Sequence, residues 1–225
     1  MPRRARFIVE NHCYHILNRG NQKARVFHEP ADYDQFLALI HLAQERLYLP
    51  ILAACLMPNH FHLVVFPRTA DDISRWTQWV FTTHVRWQHA KYRSSGRIWQ
   101  GPYKAFLCQG DHHLLTVMRY VERNALRANL VERAADWRWG SLSCCSARTP
   151  PVQIAEPPVS LPTYWRHLVN EPQTSTEIAA IRKCVNRQSP FGEERWTLEK
   201  ASELGIEHSL QPRGRPRKLR SLPIC

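Results

Sequence analysis

The chain has 225 residues, of which 44% are hydrophobic and 22% are charged, a balance typical of a globular protein rather than a disordered one. No apolar run approaches the roughly 20 residues that a membrane-spanning helix needs, so we expect neither a membrane protein nor a signal peptide. A formal net charge of +12 favours a polyanionic partner. The 7 cysteines lack metal-like spacing, so we expect reduced cytosolic thiols and assign them no role.

Strand-like and helix-like segments alternate along the first two thirds of the chain. Short apolar runs bounded by turn residues predict strands, and apolar positions at helical spacing predict helices. We expect strands over 12–18, 51–57, 60–66 and 103–109, and helices over 30–48, 72–92 and from 111 to about 121. The order β-α-β-β-α-β-α predicts an α+β fold in which helices back an antiparallel sheet.

The composition changes after residue 145. Five prolines between 146 and 163 indicate a linker or an irregular segment that wraps the domain. Helical spacing returns over 177–185 and 193–204, and the end of the chain is basic. We therefore divide the chain into a main domain over 1–145, a Pro-rich linker over 146–163, a helical extension over 164–210 and a basic tail over 211–225.

The motif His60-Phe61-His62 lies in the third predicted strand. Successive side chains of a strand point to opposite faces, so both imidazoles should share one face and Phe61 the other. Two neutral imidazoles a few ångströms apart can form half of a divalent-metal site. The alternative is a purely structural role, which a short motif of this kind often has.

The last predicted helix of the main domain offers a third ligand and a nucleophile. Tyr120 and Asn124 are four residues apart and should share a helix face. The amide oxygen of Asn124 can complete a His–His–amide set that suits Mg²⁺ or Mn²⁺. Alternatively, Tyr120 is an ordinary core residue and Asn124 is a helix C-cap.

A tyrosine beside a metal could attack a phosphate. A phenol is a poor nucleophile near neutral pH because its ordinary pKa is about 10. A cation at the scissile phosphate would withdraw charge from phosphorus and stabilise the departing 3′ oxygen. Attack would leave a covalent phosphotyrosine, and the retained ester bond would allow rejoining to another strand.

The basic residues are concentrated in a stretch that contains no acid. Between Ile73 and Gly110 there is no Asp or Glu, while cations and aromatic rings alternate. Cations neutralise phosphates and flat rings stack on unpaired bases, although we expect about half of these rings to be core residues. The candidate DNA contacts in this stretch are Arg86, Lys91, Arg93, Arg97 and Lys104.

In combination, these motifs resemble one family. The segment around His60-Phe61-His62 is similar to the HUH signature of single-strand transposases, and Tyr120, Asn124 and Arg127-Ala128 resemble the tyrosine helix of the REP-associated tyrosine transposases. Further similar segments are 18–21, 99–103, 137–141, 189–192 and 214–218. The family usually has proline after this asparagine, whereas this chain has Ala125, which weakens the ligand assignment of Asn124.

The resemblance implies a ferredoxin-like HUH domain that nicks and rejoins single-stranded DNA hairpins of palindromic extragenic repeats. By position, His60, His62 and Asn124 would bind Mg²⁺ or Mn²⁺, and Tyr120 would form a 5′-phosphotyrosine. It also implies a cytoplasmic, nucleoid-associated protein of bacteria that acts as a monomer, with a dimer as the alternative.

Several alternatives stay open at this stage. Arg19 and Asn21 either contact the DNA or simply close a turn. The tail residues either enter a narrow minor groove or add nonspecific affinity; they are Arg213, Arg215, Arg217 and Lys218. The whole chain could instead be a repeat-hairpin-binding protein with little or no nuclease activity. A zinc hydrolase of small molecules is a further rival, but it would need another His or acid ligand.

Overall fold

A four-stranded antiparallel sheet organises the molecule, for which the computed structural model describes residues 8–144 and 152–211. The strands lie in the order β2-β3-β1-β4, so the first strand is central and pairs with both β3 and β4. Their bounds are Cys13–Arg19 for β1, Ile51–Met57 for β2, His60–Val65 for β3 and Lys104–Cys108 for β4. The predicted α+β fold with an antiparallel sheet is confirmed.

Eight α-helices are present in the described part of the chain. In the main domain they are α1 (Pro30–Arg46), α2 (Asp72–Tyr92), α3 (His112–Glu122), α4 (Asn124–Arg127) and α5 (Ser141–Cys144). The extension contributes α6 (Trp165–Asn170), α7 (Ser175–Arg187) and α8 (Glu194–Glu203). None of these helices combines the length and the apolar character needed to cross a bilayer.

The two faces of the sheet carry separate hydrophobic cores. On one face, Ile16 and Phe61 pack with Phe36 of α1 and Trp76 of α2. On the other face, Val64 packs with α3 and with residues of the extension. Alternation along the strands produces this division, because neighbouring side chains leave opposite faces of the sheet. We call the α3 side the site face.

Strand register brings a row of polar side chains onto the site face. Leu17 pairs with His62 on one side and with Lys104 on the other. Arg19 pairs with His60 in the next row. Directly paired residues of antiparallel strands share a face, so cationic and imidazole groups meet at one end of the sheet.

Local signals explain where the helices begin and end. Pro30 stands at the start of α1, where its missing N–H costs nothing. The Asp111 side chain accepts a hydrogen bond of 2.8 Å from the His113 N–H and so caps α3. Arg93, in the left-handed conformation with φ 48°, ends α2. The predicted elements are confirmed to within a few residues at their ends.

The break between α3 and α4 is a feature that the sequence analysis did not predict. Arg123 lies between the two helices, as the C-cap of α3 and the N-cap of α4, so the helix is interrupted just before Asn124. The alternative that Asn124 caps α3 is wrong, because Arg123 is the C-cap residue and Asn124 begins the next helix.

The residues that follow the main domain contact the same sheet. Val152 is buried, and the Ala155 N–H donates to the Ile51 carbonyl over 2.8 Å. Phe191 forms a parallel bridge with Cys108 at the β4 edge. The described part of the Pro-rich segment therefore wraps the domain. The four-part division of the chain stays a prediction, and most of its basic tail lies outside the described residues.

Candidate active site

The imidazoles of His60 and His62 lie side by side on the site face. Their ring centroids are 4.9 Å apart. Phe61 points to the opposite face, where it is fully buried against Phe36 and Trp99. The predicted arrangement of the motif is confirmed. The buried Phe61 ring fixes which face of the strand points to the core, and so directs both imidazoles to the site face.

One nitrogen of each imidazole is held by the protein, and the other is left for a ligand. The Nδ1 atom of His60 is 2.7 Å from Asn59 Oδ1, and that of His62 is 2.8 Å from His15 Nε2. In the described part of the chain, neither Nε2 atom has a hydrogen-bond partner, and both residues line an open cleft. A hydrogen bond to the second ring nitrogen fixes the orientation of a metal-binding imidazole.

Burial keeps these imidazoles neutral. Burial, together with the charges of Arg19 and Arg127, lowers the pKa of His60 to about 4. Burial also lowers the pKa of His62 well below its ordinary value. The neutral form is the one that offers a lone pair to a cation.

Tyr120 and Asn124 approach the imidazole pair from the helical layer. The Tyr120 ring centroid is 5.8 Å from that of His62, with the two rings nearly perpendicular. Tyr120 is 6% exposed and Asn124 is 5% exposed, and both line the cleft. The break at Arg123 separates their helices, yet the structure brings the four predicted site residues together.

Arg127 covers the tyrosine ring. Its guanidinium carbon lies 4.1 Å from the ring centroid, and its Nη1 donates to the Tyr120 carbonyl over 3.4 Å. A cation over an aromatic face is favourable and limits the movement of the ring. The Tyr120 side chain is therefore held between an imidazole and a guanidinium.

The cleft has a volume of about 710 Å³ and a basic lining. Its lining residues, all from the described part of the chain, include no aspartate or glutamate. The cations that line it are Arg19, Lys104, Arg127 and Arg182. Such a lining attracts an anion such as the phosphate of a nucleic acid.

The other predicted DNA contacts do not line this cleft. Arg86, Arg93 and Arg97 are exposed on or after α2. Lys91 pairs at 2.5 Å with both Glu29 and Asp32, so protein carboxylates already neutralise its charge. The Asn21 N–H donates to the Ile98 carbonyl over 2.7 Å. The tail residues lie outside the described residues; they are Arg213, Arg215, Arg217 and Lys218.

The site fits a divalent cation. The Asn124 amide nitrogen is buried, and it has no hydrogen-bond partner in the described part of the chain. Together with the two Nε2 atoms, which lack hydrogen-bond partners among the described residues, the amide oxygen would offer a nitrogen and oxygen set suited to Mg²⁺ or Mn²⁺. A separate group, Asp111, His112 and His113, also places metal-ligating atoms close together. The Asp111 side chain is occupied in capping α3, which explains that group without an ion.

Sequence reasoning missed three contributors to this site. His15 is fully buried beside His62. It shares a strand face with Leu17 and Arg19, because every second side chain points to the same side, and this periodicity could have predicted its position. Arg127 belongs to the motif that resembles the tyrosine helix of the family, but its sequence position indicates no contact with the Tyr120 ring. Arg182 comes from α7 of the extension, and nothing in its local sequence indicates the cleft.

Comparison with known proteins agrees with the fold and the motifs. The helix that carries Tyr120 packs against the sheet beside the imidazole pair. Residues 8–124, more than half of the chain, match the family model described as "Transposase IS200 like". The chain belongs to the IS200-like transposase family, whose members act on DNA in transposition. No curated protein matches the chain.

Solved structures similar to this chain include the following two. A REP-associated tyrosine transposase bound to a REP hairpin superposes with a TM-score of 0.55 at 17% identity, covering 78% of this chain and 100% of that one. At this identity the similarity shows the fold alone. A transposase candidate from Deinococcus radiodurans R1 reaches a TM-score of 0.37 at 16% identity, over 54% of this chain and 96% of that one, which is too low for a structural argument.

Proposed function

We propose that this chain cuts and rejoins single-stranded DNA at hairpins formed by palindromic extragenic repeats. One observation carries the proposal: within the described residues, a phenol, two imidazoles with unpaired Nε2 atoms and a buried amide line one basic cleft that contains no acid. Family membership supports a DNA reaction, and the relative of the same fold was solved with a REP hairpin. The hairpin bound to that relative supports the choice of a hairpin here.

The chemical step is a transesterification at phosphorus. The Tyr120 oxygen bonds to phosphorus while the bond from phosphorus to the 3′ oxygen breaks. The phenolic proton is lost and the departing 3′ oxygen gains one, so a 5′-phosphotyrosine and a 3′ hydroxyl result. The number of ester bonds is unchanged, and therefore the reverse step can join the 5′ end to a different 3′ hydroxyl.

The residues of the cleft have distinct tasks in this step. His60, His62 and Asn124 would hold Mg²⁺ or Mn²⁺, and such a cation withdraws charge from the phosphate and stabilises the 3′ oxygen. Arg127 holds the Tyr120 ring, while Arg19 and Lys104 attract the backbone of the strand. Because one chain supplies all of these groups, we propose that the active form is a monomer, acting in the cytoplasm at the nucleoid.

A covalent adduct is the test of this function. We expect the wild-type protein, with Mn²⁺ and a labelled single-stranded hairpin, to give a protein–DNA adduct on a denaturing gel. Tyr120→Phe should give none, with cleavage reduced at least about 10³-fold, because the nucleophilic oxygen is missing. Binding of the hairpin should change less than about twofold, since the ring stays in place.

Tyr164→Phe is the matched control. Tyr164 is 60% exposed in the extension and does not line the cleft, so the same chemical change there should leave adduct formation intact. Normal cutting by Tyr120→Phe would show that the nucleophile is wrong. Tight hairpin binding by the wild type without any adduct would favour the alternative, a repeat-binding protein that lacks nuclease activity.

A further inference from the structure

The helical extension reaches the candidate active site through one face of α7. Arg182, Val185 and Asn186 all line the cleft. Their spacing of three and four residues places them on one helix face. The family match ends at residue 124, so this wall of the cleft is contributed by a part of the chain outside the segment that defines the family.

The setting of α7 is fixed by burial and by its connection to the sheet. Ile181 and Cys184 are 0% and 7% exposed in the core of the site face. After the helix, the Phe191 N–H donates to the Leu107 carbonyl at the β4 edge over 2.8 Å. Arg187 Nε also donates to the Ser209 carbonyl over 3.0 Å. These contacts hold α7 in one rotation, and that rotation turns Arg182 to the cleft.

Arg182 is a cation without a hydrogen-bonding or ion-pairing partner among the residues that the structure describes. In the described part of the chain it makes no hydrogen bond and no ion pair, and its neighbours in the cleft include no carboxylate. It lies near Arg127: burial lowers the pKa of the Arg127 guanidinium, and the charge of Arg182 lowers it further. Two like charges in one cleft repel each other, and an anion bound between or beside them removes that penalty.

We propose that Arg182 binds a backbone phosphate of the DNA strand in the cleft, beside the Arg127 guanidinium that covers the Tyr120 ring. The inference rests on the proposed function only in placing single-stranded DNA there. A guanidinium presents a planar fork of donors that matches phosphate oxygens. The extension is thereby part of the DNA-binding site, and it adds a contact that the family-defining segment lacks.

Salt-dependent binding tests this contact. Each phosphate contact with a single strand contributes about 0.7 to the slope of the logarithm of affinity against the logarithm of salt concentration. The probe is a labelled oligothymidylate, bound without any divalent metal at several salt concentrations. We expect Arg182→Gln to weaken binding about tenfold at low salt and to reduce the slope by about 0.7.

Lys183→Gln is the matched control. Lys183 is the exposed neighbour of Arg182 on the same helix, and it does not line the cleft. Lys183→Gln removes the same charge as Arg182→Gln, so a general electrostatic effect would weaken DNA binding equally in both variants. We expect less than about a twofold loss for Lys183→Gln. Equal affinities and equal slopes for the two variants would overturn the proposal.

A conservative variant separates charge from folding. Arg182→Lys keeps the charge, so the salt slope should return to the wild-type value while the affinity recovers only in part. Unchanged melting temperatures show that α7 keeps its place, as expected for the replacement of an exposed side chain. If Arg182→Lys binds with the reduced slope of Arg182→Gln, charge is not the cause and the phosphate contact is wrong.

The two proposals fail in different ways. Oligothymidylate binding needs neither a hairpin nor Tyr120, so the result at Arg182 holds even if no adduct forms. Conversely, adduct formation lost in Tyr120→Phe, together with equal binding by Arg182→Gln and Lys183→Gln, would support the proposed function and remove only the Arg182 contact.

Discussion

At the scale of single residues, the hydrogen bond with His15 determines which nitrogen of His62 is available to bind a cation. The 2.8 Å contact joins His15 Nε2 to His62 Nδ1, and the two rings are nearly parallel with centroids 4.9 Å apart. When His62 Nε2 offers its lone pair to a cation, its proton resides on Nδ1 and donates to His15. Burial lowers the pKa of His15 to about 3, so this imidazole stays neutral and able to accept.

Removing this acceptor should weaken metal binding. We expect His15→Phe to bind Mn²⁺ about tenfold more weakly, because the orientation and tautomer of His62 are no longer imposed. His15→Gln keeps an acceptor and should lose less. The measurement is a calorimetric or paramagnetic-resonance titration of Mn²⁺ without DNA, with His62→Ala as the variant that lacks a ligand. Equal Mn²⁺ affinity in the Phe and Gln variants would contradict the role of His15.

At the scale of elements, a buried carboxylate ties the tyrosine helix to the extension. Glu122 ends α3 and is 7% exposed. Its oxygens accept hydrogen bonds of 2.7 Å from the Ser141 hydroxyl and from the Trp165 indole N–H. The position of α3, and with it that of Tyr120, thus depends on contacts made by α5 and α6.

This carboxylate should make stability depend on pH. Burial raises the pKa of Glu122 from its ordinary value of 4.5 to about 7. A folded-state pKa above the unfolded one means that the folded state holds the proton more tightly, so this contribution is present below about pH 4.5 and is lost as the pH rises through about 7. The difference corresponds to about 3 kcal/mol of unfolding free energy.

Glu122→Gln isolates that contribution. Glutamine does not titrate, so the free energy of unfolding of the variant relative to the wild type should rise by about 3 kcal/mol between pH 4.5 and pH 7.5. The wild type must be subtracted from the variant at each pH, because other groups also make the unfolding free energy depend on pH. Burial lowers the pKa of His84 to about 4, so this histidine makes stability rise with pH below pH 6.5, the opposite of the effect of Glu122. Denaturant unfolding at several pH values measures it. A constant difference across this range would show that Glu122 titrates normally.

At the scale of the whole molecule, the extension completes the core of the site face. Trp165, Val169 and Ile181 are buried there with residues of α3. Each large apolar side chain that is buried contributes about 2 kcal/mol. Three of them together are comparable to the total stability of a typical domain. The main domain and the extension should therefore unfold together.

Truncation tests this dependence. A chain that ends at residue 163 should lose cooperative unfolding or melt at least about 10 °C lower, because the apolar side of α3 becomes exposed. A chain that ends at residue 211 removes only the basic tail and should melt like the full chain. Melting is followed by circular dichroism. If the first truncation melts like the full chain, the predicted boundary near residue 163 marks an independent domain.

Local periodicity made much of the fold predictable. The period of a strand placed His60 and His62 on one face, and the strands and helices followed from apolar spacing and turn residues. Of the eight aromatic residues between Trp76 and Phe106, about half are buried, as expected from their size. These properties depend on neighbours in sequence, so the sequence alone determined them.

Contacts between distant segments were decided only by the tertiary structure. The register of β1 against β3 brings His15 to His62, and the packing of α7 brings Arg182 to a cleft built from the sheet and α3. The interruption at Arg123 likewise depends on how α3 and α4 pack. No local sequence pattern predicts such long-range contacts, because they arise from sheet register and core packing between segments that are far apart in the chain. The sequence determined the groups available for chemistry, and packing decided which of them share the cleft.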